Sequence, residues 1–213
     1  MSLSKYRHIV VEGPIGAGKT SLAHRLSERL EGEVLLERPE MNPFLPRFYQ
    51  DMPRYALQTQ LFFLFQRAQQ LRELAQLDLF SKVTIADFFI DKDPLFANLI
   101  LSGDELHLYQ TIYETLRPQA PRPDLVIYLQ APPDTLYQRV KKRGIQYERT
   151  MGEEYLNALS DSYNRFFYHY ADAPVLIVNS EHLNFVERDS DLELLLERIS
   201  AMRGGREFFN VGE

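Results

Sequence analysis

The feature that most constrains this chain is a glycine-rich loop between a strand and a helix. The loop, Gly13-Pro14-Ile15-Gly16-Ala17-Gly18-Lys19-Thr20, fits the phosphate-loop pattern of two glycines separated by four residues and followed by Lys and Thr. A β-branched run at 6–11 precedes it, and Leu22, Leu26 and Leu30 follow it at helical spacing. This order of strand, loop and helix predicts a site for the phosphates of a nucleotide.

Each residue type in the loop has a physical task. The glycines free the backbone, so that successive N–H groups can point at phosphate oxygens, and the helix that follows adds its positive end. Lys19 can reach the β- and γ-phosphates, and the Thr20 hydroxyl is a hard oxygen ligand suited to Mg²⁺. The residues expected to bind the phosphates of ATP are Gly13, Pro14, Ile15, Gly16, Ala17, Gly18, Lys19, Thr20 and Ser21.

The rest of the chain alternates short apolar runs with helical patterns, which predicts βαβ units and a parallel sheet covered on both faces. Further strands are predicted at 33–37, 82–86, 125–129 and 175–178. Helices are predicted at 55–77, 95–101, 105–116, 134–143, 153–170 and 192–199. The sequence thus predicts a three-layer α/β fold with a five-stranded parallel sheet, and its 213 residues suit one domain spanning 1–213.

Composition excludes several classes of partner and compartment. The net charge of -6 argues against a nucleic-acid polymer, because such a partner selects basic surfaces. Cysteine is absent, which excludes disulfides and thiolate metal sites and favours a reducing, cytoplasmic location. Residues 1–8 contain no apolar signal core, and no uncharged apolar run is long enough to span a membrane. We therefore expect a soluble protein that handles small anions.

The phosphate loop alone does not separate a kinase from a GTPase or a motor. No Asn-Lys-x-Asp guanine signature is present, and the chain is too short for a motor domain. The run from Glu12 to Thr20, with Glu-Gly before the loop and Ile-Gly inside it, resembles the deoxynucleoside kinase family. Further landmarks fall in the order of that family: Glu37-Arg38-Pro39-Glu40, Asn42-Pro43-Phe44-Leu45, Phe48-Tyr49, Gln58, Asp87, then Arg139, Lys142 and Arg143 before Tyr147-Glu148.

The resemblance implies an ATP- and Mg²⁺-dependent phosphotransferase with an Arg/Lys-rich lid. It implies a deoxynucleoside as acceptor, with purines favoured, transfer of the γ-phosphate to the 5′-hydroxyl, and a homodimer formed through helices. Phosphoryl transfer needs charge neutralisation, and a hydroxyl acceptor benefits from a carboxylate that takes its proton. Glu37 is our candidate for that base, because it ends the second strand where open sheets bind ligands, and Glu40 competes with it.

The remaining roles follow from the same resemblance, each with a plain alternative. Asp87 and Thr20 are expected to hold Mg²⁺, unless Asp87 only caps the next helix. Lys19, Arg139 and Arg143 are expected to neutralise the transferring phosphate, although such a basic run is often a solvated helix face. The residues expected to bind the deoxynucleoside are Phe44, Phe48, Tyr49, Gln58, Asp87 and Glu148; the aromatic ones could equally be core.

One departure from the family pattern concerns catalysis. The family has arginine and serine after the acidic residue of the third strand, and this chain has Phe88 and Phe89. We therefore expect Lys92 or Arg38 to supply the missing charge. Two other functions stay open on the sequence: a nucleoside monophosphate kinase, which would need more arginines, and a catalytically weak subunit that binds nucleotide.

Overall fold

In the part of the chain that the structure describes, six parallel strands form one sheet, in the order β2-β3-β1-β4-β5-β6. The computed structural model describes residues 5–76, 82–117 and 120–210. The strands are β1 (His8–Glu12), β2 (Glu33–Leu35), β3 (Thr84–Ala86), β4 (Leu125–Gln130), β5 (Val175–Asn179) and β6 (Arg206–Phe209). The parallel α/β fold expected from the sequence is confirmed.

Helices connect the strands. They are α1 (Lys19–Leu30), α2 (Leu45–Phe48), α3 (Met52–Gln76), α4 (Asp93–Ile100), α5 (Gly103–Leu116), α6 (Pro133–Arg143), α7 (Glu153–His169) and α8 (Asp189–Ala201). Short 3₁₀ turns lie at Pro39–Met41, Ile90–Lys92 and Gln146–Thr150. Three predicted features lie at least partly outside the described residues: the end at Leu77 of the helix predicted before the third strand, the domain boundaries Met1 and Glu213, and residues 1–4 of the segment 1–8.

The four central strands, β1, β3, β4 and β5, are buried on both faces, as is usual in parallel sheets. In β1 the side chains alternate between two apolar cores. Ile9 and Val11 pack in the larger core, which includes residues of α1 and α8. Val10 packs on the opposite face, in a core rich in aromatic residues from α7, such as Phe167. Continuous burial explains why the central strands read as short apolar runs.

The sequence predicts five strands, and the described residues contain six; β6 is the additional one. β6 pairs in parallel with β5 at the edge of the sheet, with Val175 opposite Arg206. It has four residues, of which Arg206 and Phe208 are exposed. An edge strand of this length contains no apolar run, so the periodicity of the sequence could not reveal it.

The strand order brings three loops to one edge of the sheet. Ala86 lies opposite Val10 of β1 and opposite Leu35 of β2. Because the strands are parallel, the phosphate loop, Glu37 and Asp87 all follow carboxyl ends of neighbouring strands. Among the described residues, no helix is both long enough and apolar enough to cross a membrane.

Candidate functional site

The phosphate loop adopts backbone conformations that only glycine tolerates well. Gly16 has φ 88° and Gly18 has φ 96°, both in the left-handed region. A Cβ at Gly16 would lie 2.6 Å from the carbonyl oxygen of Leu136 in α6, so a larger residue would push the loop and α6 apart. The pattern of glycines therefore serves both the curvature of the loop and its close packing on α6.

Lys19 lies folded over the loop at the start of α1. Its ammonium donates to the carbonyl oxygens of Gly13 at 2.8 Å and Pro14 at 3.1 Å. Burial lowers the pKa of Lys19, and the nearby charge of Lys92 lowers it further. Two cations thus lie close together beside the loop, an arrangement that an anionic phosphate would stabilise.

A cavity of about 130 Å³ opens between the phosphate loop and helices α2, α3 and α7. It brings together most of the predicted site residues with others from α3, α4 and α7. Its lining residues are Ile15, Gly16, Lys19, Thr20, Glu37, Pro39, Leu45, Phe48, Tyr49, Thr59, Gln60, Phe63, Arg67, Asp87, Lys92, Phe96, Arg143, Glu148, Tyr155 and Tyr163.

Asp87 and Thr20 meet beside this cavity. The Thr20 hydroxyl donates to Asp87 Oδ2 at 2.5 Å, and the Glu37 N–H donates to Asp87 Oδ1 at 2.7 Å. Burial raises the pKa of Asp87, opposed by these hydrogen bonds. Asp87 caps no helix, because α4 begins only at Asp93 and its N-cap is Lys92. A hydroxyl and a carboxylate at this distance fit the oxygen ligands that Mg²⁺ prefers.

Glu37 lies between two cations at the end of β2. Arg67 donates to Glu37 Oε1 through Nε at 2.7 Å and through Nη2, and Lys92 Nζ lies 3.3 Å from the same oxygen. Burial alone would raise the pKa of Glu37, but Arg67, Lys92 and Lys19 together lower it to about 2. Glu37 is therefore ionised at neutral pH, whereas Glu40 is exposed and outside the cavity lining.

Of the two cations expected to replace the family arginine, Lys92 lies in the cavity and Arg38 does not. Phe88 and Phe89 are fully buried in the apolar cores, where no charge would be tolerated. The 3₁₀ turn Ile90–Lys92 follows these two residues and places the positive charge of Lys92 in the cavity. Burial opposes the charge of Lys92, yet Glu12 and Glu37 outweigh it and raise the pKa of Lys92. Arg38 is exposed.

Gln58, the glutamine of α3 that the sequence predicts at the base, does not lie in the cavity. Gln58 is exposed and does not line the cavity, whereas Gln60 is 3% exposed and lines it. Residues two apart in a helix point about 200° apart, so only one of the two can face the site. The Gln60 carbonyl oxygen and the hydroxyl of the adjacent Thr59 are buried without a hydrogen-bond partner. Buried polar groups are normally hydrogen-bonded, so both are candidates for contact with a polar ligand.

Arg67 lines the cavity and pairs with Asp93 behind it, and the sequence analysis assigned neither residue. The Arg67 Nη1 donates to Asp93 Oδ1 at 2.5 Å, and both side chains are nearly fully buried. Gln60 and Arg67 lie seven residues apart in α3, a spacing that puts them on one face of the helix. That pair of polar residues in an apolar helix was the available signal. Arg67 links the end of β2 to α4.

The lid residues divide into two groups. Arg143 donates to Glu148 through Nη2 at 2.6 Å and Nε at 3.2 Å, so both line the cavity as one ion pair. Arg139, predicted to neutralise phosphate, instead donates to the carbonyl oxygen of Ser180 at 2.7 Å, outside the cavity lining. Arg139 lies four residues before Arg143, about one turn earlier in α6, and at that level of the helix its guanidinium contacts the loop after β5.

The aromatic residues in and directly beside α2 also fall into two groups. Phe48 and Tyr49 line the cavity, and Tyr49 stacks on Tyr147 with ring centroids 6.0 Å apart. Phe44 lies outside the lining, and its N–H donates to Asn42 Oδ1 at 3.1 Å in the turn that begins α2. The expectation that Phe44 contacts the base is thus not supported by its position.

Comparison with known proteins gives concordant results. The family profile described as Deoxynucleoside kinase matches residues 9–202. The chain is 35% identical to the deoxyguanosine kinase of Bacillus subtilis, over 91% of this chain and 96% of that protein. It is 30% identical to the deoxyadenosine kinase of Lactobacillus acidophilus, over 90% of this chain and 94% of that protein. A structure of the deoxyadenosine kinase of M. mycoides with dCMP and dCDP bound superposes with a TM-score of 0.81, at 26% identity, covering 92% of this chain and 100% of that one.

Proposed function

Because this chain belongs to the deoxynucleoside kinase family, we propose that it transfers the γ-phosphate of ATP to the 5′-hydroxyl of a purine deoxynucleoside. The family implies the use of ATP. The observation that supports the rest is the cavity itself, in which Lys19 and Thr20 of the phosphate loop lie on one side and Gln60 of α3 lies on the other. The ionised Glu37 lies between them.

In the proposed reaction the 5′-oxygen forms a bond to the γ-phosphorus, and the bond from that phosphorus to the β-bridging oxygen breaks, releasing ADP. Glu37 accepts the hydrogen bond of the 5′-hydroxyl and orients its oxygen. A carboxylate with a pKa of about 2 is a weak base. It takes the proton as the oxygen bonds to phosphorus, when the hydroxyl has become acidic.

Charge neutralisation falls to the phosphate loop and to the cations of the cavity. Lys19 leaves the carbonyl oxygens of Gly13 and Pro14 for the β- and γ-phosphates, and Lys92 adds a second charge near Glu37. Mg²⁺, held by Thr20 and Asp87, would neutralise charge on the phosphate oxygens. Closure of the lid would bring Arg143 toward the same region.

The names of the two relatives support a purine as the base, since one is a deoxyguanosine kinase and the other a deoxyadenosine kinase. Gln60 supports recognition of the Watson–Crick edge of the base. Its buried side-chain carbonyl oxygen has no hydrogen-bond donor, and adenine and guanine both carry N–H donors on that edge. Phe48, Phe63 and Phe96 supply apolar walls around it. The ion pair of Arg143 and Glu148 lines the cavity together with Tyr49, and we propose that these residues contact the sugar.

We predict that Gln60→Leu raises the KM for the deoxynucleoside by about tenfold to a hundredfold, because a buried amide that binds a base edge is lost. The KM for ATP should stay near the wild-type value. Gln58→Leu is the matched control on the opposite side of α3, and we expect it to have wild-type kinetics. Steady-state kinetics with both substrates varied make the measurement. The reverse pattern would return the base contact to Gln58.

The test of the proposed function is transfer from γ-labelled ATP to each of the common deoxynucleosides, with and without Mg²⁺, and with the product identified as the 5′-monophosphate. We expect the highest kcat/KM with deoxyguanosine or deoxyadenosine. A higher value for a pyrimidine deoxynucleoside would contradict the purine assignment. Transfer to a nucleoside monophosphate, and not to a nucleoside, would contradict the proposal that the acceptor is a deoxynucleoside.

The alternatives from the sequence are less well supported. An acceptor phosphate would need uncommitted arginines, but Arg67 and Arg143, the arginines of the described cavity lining, both pair with carboxylates. A weak nucleotide-binding subunit was suggested by the lost arginine at position 88. Lys92 removes that reason, because its charge lies beside Glu37.

We also propose that the protein forms a homodimer through helices α4 and α7. An open groove between these helices presents Leu95, Leu99 and Phe166 beside Arg165 and Asp172. Apolar side chains rimmed by charges are typical of surfaces that associate. We predict that Leu99→Glu lowers the mass measured by sedimentation from the dimer to the monomer of 25.0 kDa. Leu194→Glu on α8, at a leucine that is 42% exposed, is the control expected to stay dimeric. A monomeric wild type would contradict the dimer.

A further inference from the structure

Glu12 is a buried carboxylate that the proposed reaction does not use. It ends β1, directly before the phosphate loop, and its side chain is 0% exposed. Its Oε2 accepts hydrogen bonds from the Gly13 N–H at 2.8 Å and from the Tyr163 hydroxyl at 3.1 Å. Its Oε1 lies 3.0 Å from Lys92 Nζ. Burying a charge costs desolvation free energy, which a paired opposite charge offsets. Lys92 is that partner for Glu12.

We infer that Glu12 is a positioning residue that fixes the ammonium of Lys92 between the phosphate loop and Glu37. The inference rests on the proposed function, in which Lys92 neutralises charge beside the acceptor oxygen. Glu12 holds Lys92 from one side at 3.0 Å and Glu37 holds it from the other at 3.3 Å. Tyr163 and the Gly13 N–H in turn fix the carboxylate of Glu12.

The need for such a residue follows from the exchange of arginine for lysine. A guanidinium is a planar fork that orients itself on a carboxylate through two bonds, whereas an ammonium is a point charge on a flexible stem of four carbons. Lys92 also approaches from the 3₁₀ turn after β3, not from the strand end where Phe88 lies. A single contact with Glu37 would leave its position loose. The second carboxylate supplies the missing restraint.

The same contact joins Lys92 to the loop that binds ATP. Gly13 is held through its N–H by Glu12 and through its carbonyl oxygen by Lys19. Lys92 and Lys19 are close enough that the charge of Lys92 lowers the pKa of Lys19. Glu12 therefore keeps two like charges beside one another before phosphate arrives, and it does so without contacting the substrates in our proposal.

The test is a double-mutant cycle with Glu12→Gln, Lys92→Met and the double variant. Glutamine keeps the shape and the acceptor for the Gly13 N–H but removes the charge that holds Lys92. If Glu12 acts through Lys92, Glu12→Gln lowers kcat by about tenfold to a hundredfold, and adding it to Lys92→Met changes kcat by no more than about twofold. The KM for ATP should stay within about twofold in Glu12→Gln, because the phosphate contacts remain.

Glu207→Gln is the matched control. Glu207 also accepts backbone N–H groups, from Arg203 at 2.8 Å and Gly204 at 3.0 Å, and it pairs with Arg198 at 2.7 Å. It lies in β6, at the far edge of the sheet from β1. We expect its amide variant to keep the wild-type kcat, so that any general effect of removing a paired carboxylate is measured separately.

Wild-type kcat in Glu12→Gln, or independent, multiplying losses in the double variant, would overturn the inference. The melting temperature gives a second reading that needs no catalysis. Lys92→Met leaves Glu12 buried and uncompensated, so the double variant should melt at a higher temperature than Lys92→Met alone. Equal or lower melting would also overturn the pairing. If the wild type transfers phosphate to no deoxynucleoside, the proposed function fails, while the melting cycle still decides whether Glu12 and Lys92 act as a pair.

Discussion

Lys19→Ala is expected to lower kcat by about a thousandfold or more, the loss found when a single preorganised cation or donor is removed from a phosphoryl-transfer site. The melting temperature should rise or stay unchanged. Burial and the neighbouring Lys92 both lower the pKa of Lys19, so the folded protein holds this charge at a cost. Removing it relieves that cost without opening a cavity in the core.

The measurement pairs steady-state kinetics with thermal melting. Lys82→Ala, at an exposed lysine before β3, is the control and should match the wild type in both. An activity close to wild type in Lys19→Ala would show that the loop does not bind the transferred phosphate. A large drop in melting temperature would instead assign Lys19 a structural role.

Glu37→Gln is expected to lower kcat by about a hundredfold to ten thousandfold, the range that a positioned acid or base contributes. The KM for ATP should change little, since the phosphate loop is intact. Glutamine is nearly the same size and can still accept one hydrogen bond from Arg67, which bonds Glu37 Oε1 through Nε at 2.7 Å. The fold should therefore survive, with a lower melting temperature from the loss of charge beside two buried cations.

Glu40→Gln is the natural control for that variant, because Glu40 is an exposed carboxylate three residues further along the chain. We expect it to retain the wild-type kcat. Loss of activity in Glu40→Gln together with a fully active Glu37→Gln would move the role of the base to Glu40.

The sequence predicted most of the fold because its signals are local. The strand before Gly13 and the helix after Thr20 are dictated by a motif that works only in that setting. The other central strands are continuous apolar runs, which mark burial on both faces. β6 lies at an edge and consists of two charged residues followed by two aromatic ones, with neither an apolar run nor an alternation. Its position in the sheet therefore depends on pairing with β5.

The candidate site was harder to predict, because which residues line it depends on where each side chain points and not only on the residue type. Gln58 and Gln60 are chemically identical, and only the orientation of α3 decides which one faces the cavity. Arg38 and Lys92 were equal candidates for one charge, and the 3₁₀ turn after β3 distinguishes them. Arg67 could not be assigned from the sequence, because its two carboxylate partners follow different strands.

The guanidinium of Arg67 has a consequence for how such an enzyme selects its substrate. It shares one helix face with Gln60, which lines the cavity where we propose that the base binds, and it bonds Glu37, which we propose accepts the hydrogen bond of the 5′-hydroxyl. A base that fits poorly and displaces this side chain also displaces the group that orients the hydroxyl. If so, the enzyme discriminates between nucleosides in kcat as well as in binding affinity. A nucleoside with the wrong base can then bind and still be a poor substrate. In this proposal, Arg67 couples the fit of the base against α3 to the position of Glu37.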